Sequence, residues 1–478
     1  MTILTELPNE LLLQICEDIA ESSPDCGQPI LAELSCVSER LRSVSQRVLY
    51  HAPWIGPRNH QNSQIFLFRL VRTLLRNKDL RSQVVRLQLC FSDPRPYGSS
   101  HRHLLPEARV ELAHLPQDTS AWQRALTAGR VTAWVGLLVL ILPKLPYLHF
   151  DYDDDMPYRY NRGCTREKFG LTKKLFPGII HGATGDFASF SMLQSLKELH
   201  VYGFPVDPIW FRLPHLRTLA LDATLQMSNI PQSIKSFDIT TLTIHHEACL
   251  LFSWTAAKRR EYSLCTRFIR FLDKCKRLTA LRMFYDGYSS LGGTTWHPEV
   301  ASYDVLIRRI APVVPTLERL SIGVDDGHWN AWESLKIASP IRSLRELKNL
   351  TYVSASTEAL LNPPDLSTGR SLAITALPEG LQHLRIHRPS QEVLDLFYSN
   401  LHEQPDRYSH VSTLTLRYEK DGPLDPPTLY LSQERAGIMK LGISVAIEWD
   451  EYHDDPQWFK ELRQLEKIRF EEDKLFAD

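Results

Sequence analysis

Apolar residues along the chain fall into two spacings. Near the N-terminus, Leu11, Leu12, Ile15, Cys16 and Ile19 recur at helical intervals and give one apolar face. Pro8 suits a helix's first turn, where its missing N–H would have no partner anyway, and Glu10 lies near the positive end of the helix dipole. The stretch Glu21 to Pro29, with two prolines and a glycine, predicts a loop. A second stripe, Leu31, Leu34, Val37, Leu41, Val44 and Val48, advances in steps of three and four. It predicts a helix whose other side carries Glu33, Glu39, Arg40, Arg42 and Arg47.

Beyond this, Arg58 to Arg81 predicts a linker helix built on LFRLVRTLLR. The most apolar tract, Val131 to Leu142, lies between Arg130 and Pro143 and falls short of the roughly 20 residues a membrane span needs. It predicts a buried helix. The remaining apolar residues recur as L-x-x-L-x-(apolar), whose last two apolar positions read as a short strand. The pattern is seen at Leu145/Leu148/Phe150, Leu196/Leu199/Val201, Leu216/Leu219/Leu221 and Leu278/Leu281/Met283. It returns at Leu317/Leu320/Ile322, Leu350/Val353/Ala355, Leu381/Leu384/Ile386 and Val411/Leu414/Leu416, with weaker copies near Leu87 and Leu242. Between Leu281, Leu320, Val353, Leu384 and Leu414 the steps are 39, 33, 31 and 30 residues. Helical patterns lie between several copies, at Tyr262–Cys275, Tyr303–Val313 and Gln391–Leu401, so each unit reads as strand, loop, helix. Such units cannot bury an apolar face alone and must stack. The polar segment Trp458 to Phe476 predicts a helix capping the open end.

Composition adds bounds. With 478 residues, the chain exceeds one compact domain, and 43% hydrophobic and 23% charged residues make an ordinary globular mix. A net charge of −1 supplies no global field for nucleic acid or an acidic membrane. Eight scattered cysteines include no C-x-x-C pair, and the acidic N-terminus lacks a basic signal region. Reduced thiols in the cytoplasm or nucleus are therefore expected.

Motifs for catalysis fail one by one. His246-Glu247 opens H-E-x-x-H, but Leu250 stands at its last position. Gly287-Tyr288-Ser289-Ser290-Leu291 breaks G-x-S-x-G at its final residue. No G-K-[ST] occurs. The acidic run Asp151, Asp153, Asp154 and Asp155 lacks Ca²⁺-loop spacing and reads as a solvated strand end. No catalytic residue, cofactor or metal ligand is expected.

Leu7, Pro8, Glu10, Leu11, Leu12 and Ile15, followed by Leu31, Leu34, Val37, Ser38, Arg40, Leu41 and Val44, carry a family resemblance. Together they resemble an F-box of the form common in fungal proteins, covering about Leu4 to Trp54. Leu41 stands where the family's commonest core has tryptophan and keeps an apolar anchor. The L-x-x-L-x-L copies look like an irregular leucine-rich-repeat solenoid. The family's Asn or Cys is replaced by Phe204, Thr224, Asp286, Asp325, Pro389 and Glu419, so uneven repeats are expected. The implied fold is α/β. It has an F-box at 1–54, a linker helix at 55–82, a repeat array with a parallel concave sheet at 83–450, and a capping helix at 451–478.

F-box helices insert apolar side chains into a groove of the Skp-family adaptor of cullin–RING ubiquitin ligases, a helix-in-groove mode. Carried over, the adaptor-binding residues are Leu7, Pro8, Leu11, Leu12, Ile15, Leu34, Val37, Arg40, Leu41 and Val44. Strand side chains alternate, so residues flanking the apolar ones face the expected concave surface. That assigns Tyr147, His149, His200, Tyr202, Arg282, Phe284, Arg319, Tyr352, His383, Arg385 and Arg417 to client binding. The face turns from Tyr/His-rich to Arg/His-rich, which suits an acidic or phosphorylated client. The expected function is a non-catalytic substrate-recognition subunit of an SCF-type ligase. Nucleic acid and membranes are not expected partners. A scaffold acting outside an active ligase is left open.

Overall fold

The computed structural model describes residues 6–22, 24–56, 60–91, 101–114, 119–152, 171–177, 193–203, 206–222, 234–247, 268–286, 303–324, 340–360, 377–389, 391–403, 408, 410–418 and 433–449. The chain divides into two compact units, whose border runs through residues 251–297, inside the range read as one array.

The first unit opens with three helices, α1 (Asn9–Ser22), α2 (Pro24–Val37) and α3 (Glu39–His51). Two expectations are corrected here. The stretch Glu21 to Pro29 is not a loop: α2 starts at Pro24, where a missing N–H costs nothing, and Pro29 lies inside the helix. The stripe Leu31 to Val48 is not one helix either. Ser38 adopts an extended conformation (φ −155°, ψ 160°) and starts α3, its Oγ accepting from the Leu41 N–H at 3.2 Å. Leu12, Cys16, Leu31, Leu41 and Val44 form the shared core, with Leu7, Ile19, Leu34 and Val48 packed against it. Helices α1 and α2 approach closely at Gly27, where an added Cβ would lie 2.2 Å from the Ile19 carbonyl oxygen.

The segment read as a linker joins the body of the unit. Strand β1 (Trp54–Ile55) pairs with β2 (Arg86–Phe91). Helix α4 (His60–Arg76) ends at Asn77, whose side chain accepts from the Asp79 and Leu80 N–H groups and starts α5 (Lys78–Gln83). Short helices α6 (Leu105–Leu112) and α7 (Ser120–Thr127) lead to α8 (Val131–Ile141), in which every residue is buried. Helix α9 (Leu171–Leu175) crosses α8 so closely that a Cβ on Gly136 would meet the Leu175 carbonyl oxygen.

Strands β3 (Tyr147–Tyr152), β4 (Glu198–Tyr202), β5 (Thr218–Asp222), β6 (Thr241–Glu247) and β7 (Ala280–Asp286) follow. The second unit holds β8 (Arg319–Val324), β9 (Tyr352–Ser356), β10 (His383–His387), β11 (Thr413–Tyr418) and β12 (Ser444–Trp449). Within each unit neighbouring strands are parallel and follow sequence order. Stacking is visible as a backbone ladder just ahead of the strands. Lys197 N–H donates to Pro146 O, Arg217 to Lys197 O, Thr240 to Arg217 O and Thr279 to Thr240 O, each at 2.8 Å. The second unit repeats it from Thr351 to Glu318 O, Gln382 to Thr351 O, Ser412 to Gln382 O and Ser444 to Ser412 O. The turn leucines Leu145, Leu196, Leu216, Leu278, Leu317, Leu350 and Leu381 are all buried beneath this ladder. This is an α/β fold of parallel strands laid down in sequence order, as stacked repeats give.

Strand, loop, helix does not hold for every unit. Between β4 and β5 a single 3₁₀ turn (Trp210–Arg212) takes the helix's place, and the described residues between β8 and β9 are turns. The expected helices appear at 268–274, Tyr303–Ile310 and Gln391–Glu403. The capping helix at 451–478 and the beginning of Tyr262–Cys275 lie outside the described residues.

Candidate functional site

The N-terminal bundle divides the expected docking residues into two sets. Leu12, Leu41 and Val44 are interior. Leu11 is 46% and Val37 67% exposed, Pro8 is exposed, and Leu7, Ile15 and Leu34 are half-buried. Arg40 is engaged within the bundle. Its Nη2 donates to the Leu7 carbonyl oxygen at 2.5 Å and its Nε to Asn9 Oδ1 at 2.9 Å, tying α3 to the entry of α1. Burial pushes the Cys16 thiol up, with Glu17 adding to the effect.

In the first unit Leu148, Phe150, Leu199, Val201, Leu219 and Leu221 point into the core. Alternate residues face the other way and assemble a ring ladder. Tyr147 and His200 lie 5.2 Å apart, His149 and His200 5.5 Å, His149 and Tyr202 5.3 Å, and Tyr202 and His245 5.0 Å, all between centroids. Register explains it: His149 is opposite His200, and Ala220, the next residue in that row, is small. Arg86 lies over the Tyr147 ring at 4.3 Å, and Gln88 Nε2 donates to the Tyr147 hydroxyl at 3.2 Å. His200 Nε2 meets Glu198 Oε1 at 2.8 Å, and that hydrogen bond holds the Glu198 carboxyl below the usual range. Burial, then His200, His245 and Arg86, push His149 down to about 4, so it is neutral at neutral pH. Alternation along β4 places Glu198 on this face beside His200 and Tyr202; sequence reasoning missed Arg86 and His245 as members, and their positions flanking Leu87 and Ile244 were the available signal. Arg282 on β7 is exposed and Phe284 half-buried.

The second unit shows a different face. Three rows cross its sheet: Arg319–Tyr352–His383–Thr413–Ser444, then Ser321–Ser354–Arg385–Thr415–Ala446, then Ser356–His387–Arg417–Glu448. Arg319 and His383 are exposed, while Tyr352, Arg385 and Arg417 are half-buried. Tyr352 and His383 rings lie 6.4 Å apart. His387 is buried and shares a 2.5 Å hydrogen bond between its Nε2 and Ser354 Oγ. Burial, then the Arg417 and Arg385 guanidiniums, push His387 down to about 3. Arg385 forms an ion pair with Glu448 through Nη2 and Oε2.

Among the described residues, no group of three or more His, Cys, Asp or Glu side chains is placed to hold a metal ion. No helix among them is long and apolar enough to cross a membrane. Cys16, Cys36, Cys90 and Cys275 form no disulfide. The chain matches no protein-family model, and no curated protein is similar to it.

Proposed function

We propose that this chain is the substrate-recognition subunit of an SCF-type ubiquitin ligase of the cytoplasm or nucleus. Helices α1 to α3 dock on a Skp-family adaptor, and the polar face of the repeat sheet takes a client protein. The chain supplies no catalytic group; it raises the client's local concentration beside the ubiquitin-carrying machinery. The observation that carries the reading is the bundle's division of labour. Leu12, Leu41 and Val44 satisfy its core, yet Leu11 and Val37 remain exposed on the outside, as does Pro8 at the entry of α1. Large exposed apolar side chains on a small helical bundle fit insertion into a partner's groove.

The test is capture of a purified Skp-family adaptor by the wild-type chain and by Leu7→Asp/Pro8→Ala. Wild type is expected to retain the adaptor and the double variant to lose it. Equal capture overturns the docking reading. Co-purification of a cullin then separates a ligase subunit from a scaffold holding the adaptor alone.

A further inference from the structure

Helix α4 carries its cations in one line. Ile65, Arg69, Arg72 and Arg76 follow one another in steps of four, three and four, which keeps them on one side of the helix, and all are exposed. Phe66 beside them is exposed too, and the Arg69 guanidinium lies over its ring, 6.0 Å from the centroid. Cationic and apolar groups therefore form a single surface. The other side of α4 is satisfied, with Leu67, Val71 and Leu74 buried. The helix holds no acidic residue, and among the described residues neither Arg69 nor Arg72 forms an ion pair.

The far end of the same line shows what such a surface takes. Arg76 donates through Nε and Nη2 to Glu107 Oε1, at 3.2 and 2.9 Å, and Arg81 Nη2 on α5 donates to Glu111 Oε1 at 2.6 Å. Glu107 and Glu111 are one turn apart on α6, and Ala108 and Leu112, each next to one of them, are buried. Helix α6 is thus an acidic amphipathic segment seated on arginines of α4 and α5. Arg69 and Arg72 offer the same chemistry one to two turns earlier, with Ile65 and Phe66 as the apolar part.

We propose that Ile65, Phe66, Arg69 and Arg72 dock an acidic amphipathic helix of a partner protein. Two carboxylates one turn apart meet the guanidiniums, and an apolar side chain covers Phe66. The site uses neither α1 to α3 nor the sheet face, and it stands whether or not those surfaces bind an adaptor and a client. The apolar half selects against nucleic acid. A phosphate backbone would meet the arginines but leave Ile65 and Phe66 in water, and a net charge of −1 adds no general attraction.

The experiment uses the full chain and fluorescein-labelled, alanine-rich peptides longer than about 15 residues, so that a helix holds in water. One carries glutamate and leucine at the spacing of α6. A second has glutamine for glutamate, and a third serine for leucine. A single-stranded oligodeoxynucleotide is the fourth probe. Fluorescence anisotropy is expected to show the glutamate–leucine peptide binding best. Arg69→Gln/Arg72→Gln should weaken it roughly tenfold, the loss of two exposed charge pairs, and should flatten its salt dependence. Phe66→Ser should weaken it several-fold and leave the salt dependence in place. These side chains are exposed, and circular dichroism checks that each variant folds; Phe66→Ser reports even where the double variant does not. Equal binding of the glutamate and glutamine peptides, or wild-type affinity in the double variant, overturns the proposal. So does indifference to both Phe66→Ser and the loss of leucine. Tighter binding of the oligonucleotide, lost in the double variant, would assign the surface to nucleic acid and overturn it as well.

Discussion

The Arg40 guanidinium donates to the Leu7 carbonyl oxygen at 2.5 Å, across thirty-three positions of sequence. Arg40, an exposed residue expected to face a partner, also fixes the entry of α1, the segment that presents Leu7 and Pro8. Arg40→Ala removes this bond and the one to Asn9. At about 1 kcal/mol for each exposed hydrogen bond, bundle stability should fall by roughly 1–2 kcal/mol. Thermal unfolding and hydrogen exchange over residues 6–22 measure it. An unchanged exchange rate there would show that α1 needs no tether.

Gly27 gives a sharper test of the bundle. A Cβ there would lie 2.2 Å from Ile19 O, a backbone atom that cannot swing aside. Gly27→Ala should therefore destabilise by about 1–3 kcal/mol despite alanine's better helix propensity. Limited proteolysis between α1 and α2 should accelerate; a stabilised variant would contradict the close approach.

His387 sets a pH dependence. Its folded value is about 3 against an ordinary 6.5. Above pH 6.5 the ring is neutral whether folded or unfolded, and it contributes no dependence. Between pH 6.5 and 3 the unfolded chain takes up a proton that the folded chain refuses, so stability falls with pH by about 1.4 kcal/mol per unit. His387→Gln should flatten that part of the urea-denaturation profile between pH 6 and 4. An equally steep profile would place the acid sensitivity elsewhere.

How far the sequence carried this picture depends on which force shaped each element. The repeat strands were legible because one buried turn leucine and two buried strand residues recur, as at Leu196, Leu199 and Val201. Strand β12 has the same inward alternation at Val445 but follows Ile443 rather than a leucine turn, and it escaped. Helix α2 was hidden by Pro24 and Pro29, whose breaker signal yields to packing against α1 and α3. The ring ladder and the Arg385–Glu448 pair depend on register between strands far apart in sequence. Alternation placed Tyr147, His149 and Arg385 on the outward face, but nothing local could say that Glu448 reaches Arg385.

The bundle's two kinds of apolar residue should part company under substitution. Leu41 is 2% exposed within the three-helix core, and Leu41→Ala should cost about 2–5 kcal/mol through the cavity it leaves. Val37, at the last turn of α2, is 67% exposed, and Val37→Asp should change stability by only about 0.5 kcal/mol. Adaptor capture should respond in the opposite proportion to stability. Val37→Asp places a charge on a surface that must be desolvated in the complex and should abolish capture by a folded chain. Leu41→Ala should reduce capture only as far as it unfolds the bundle. Circular dichroism on each variant beside the adaptor pull-down separates the two effects. A folded Val37→Asp chain that captures adaptor as wild type does would move the docking surface away from the end of α2.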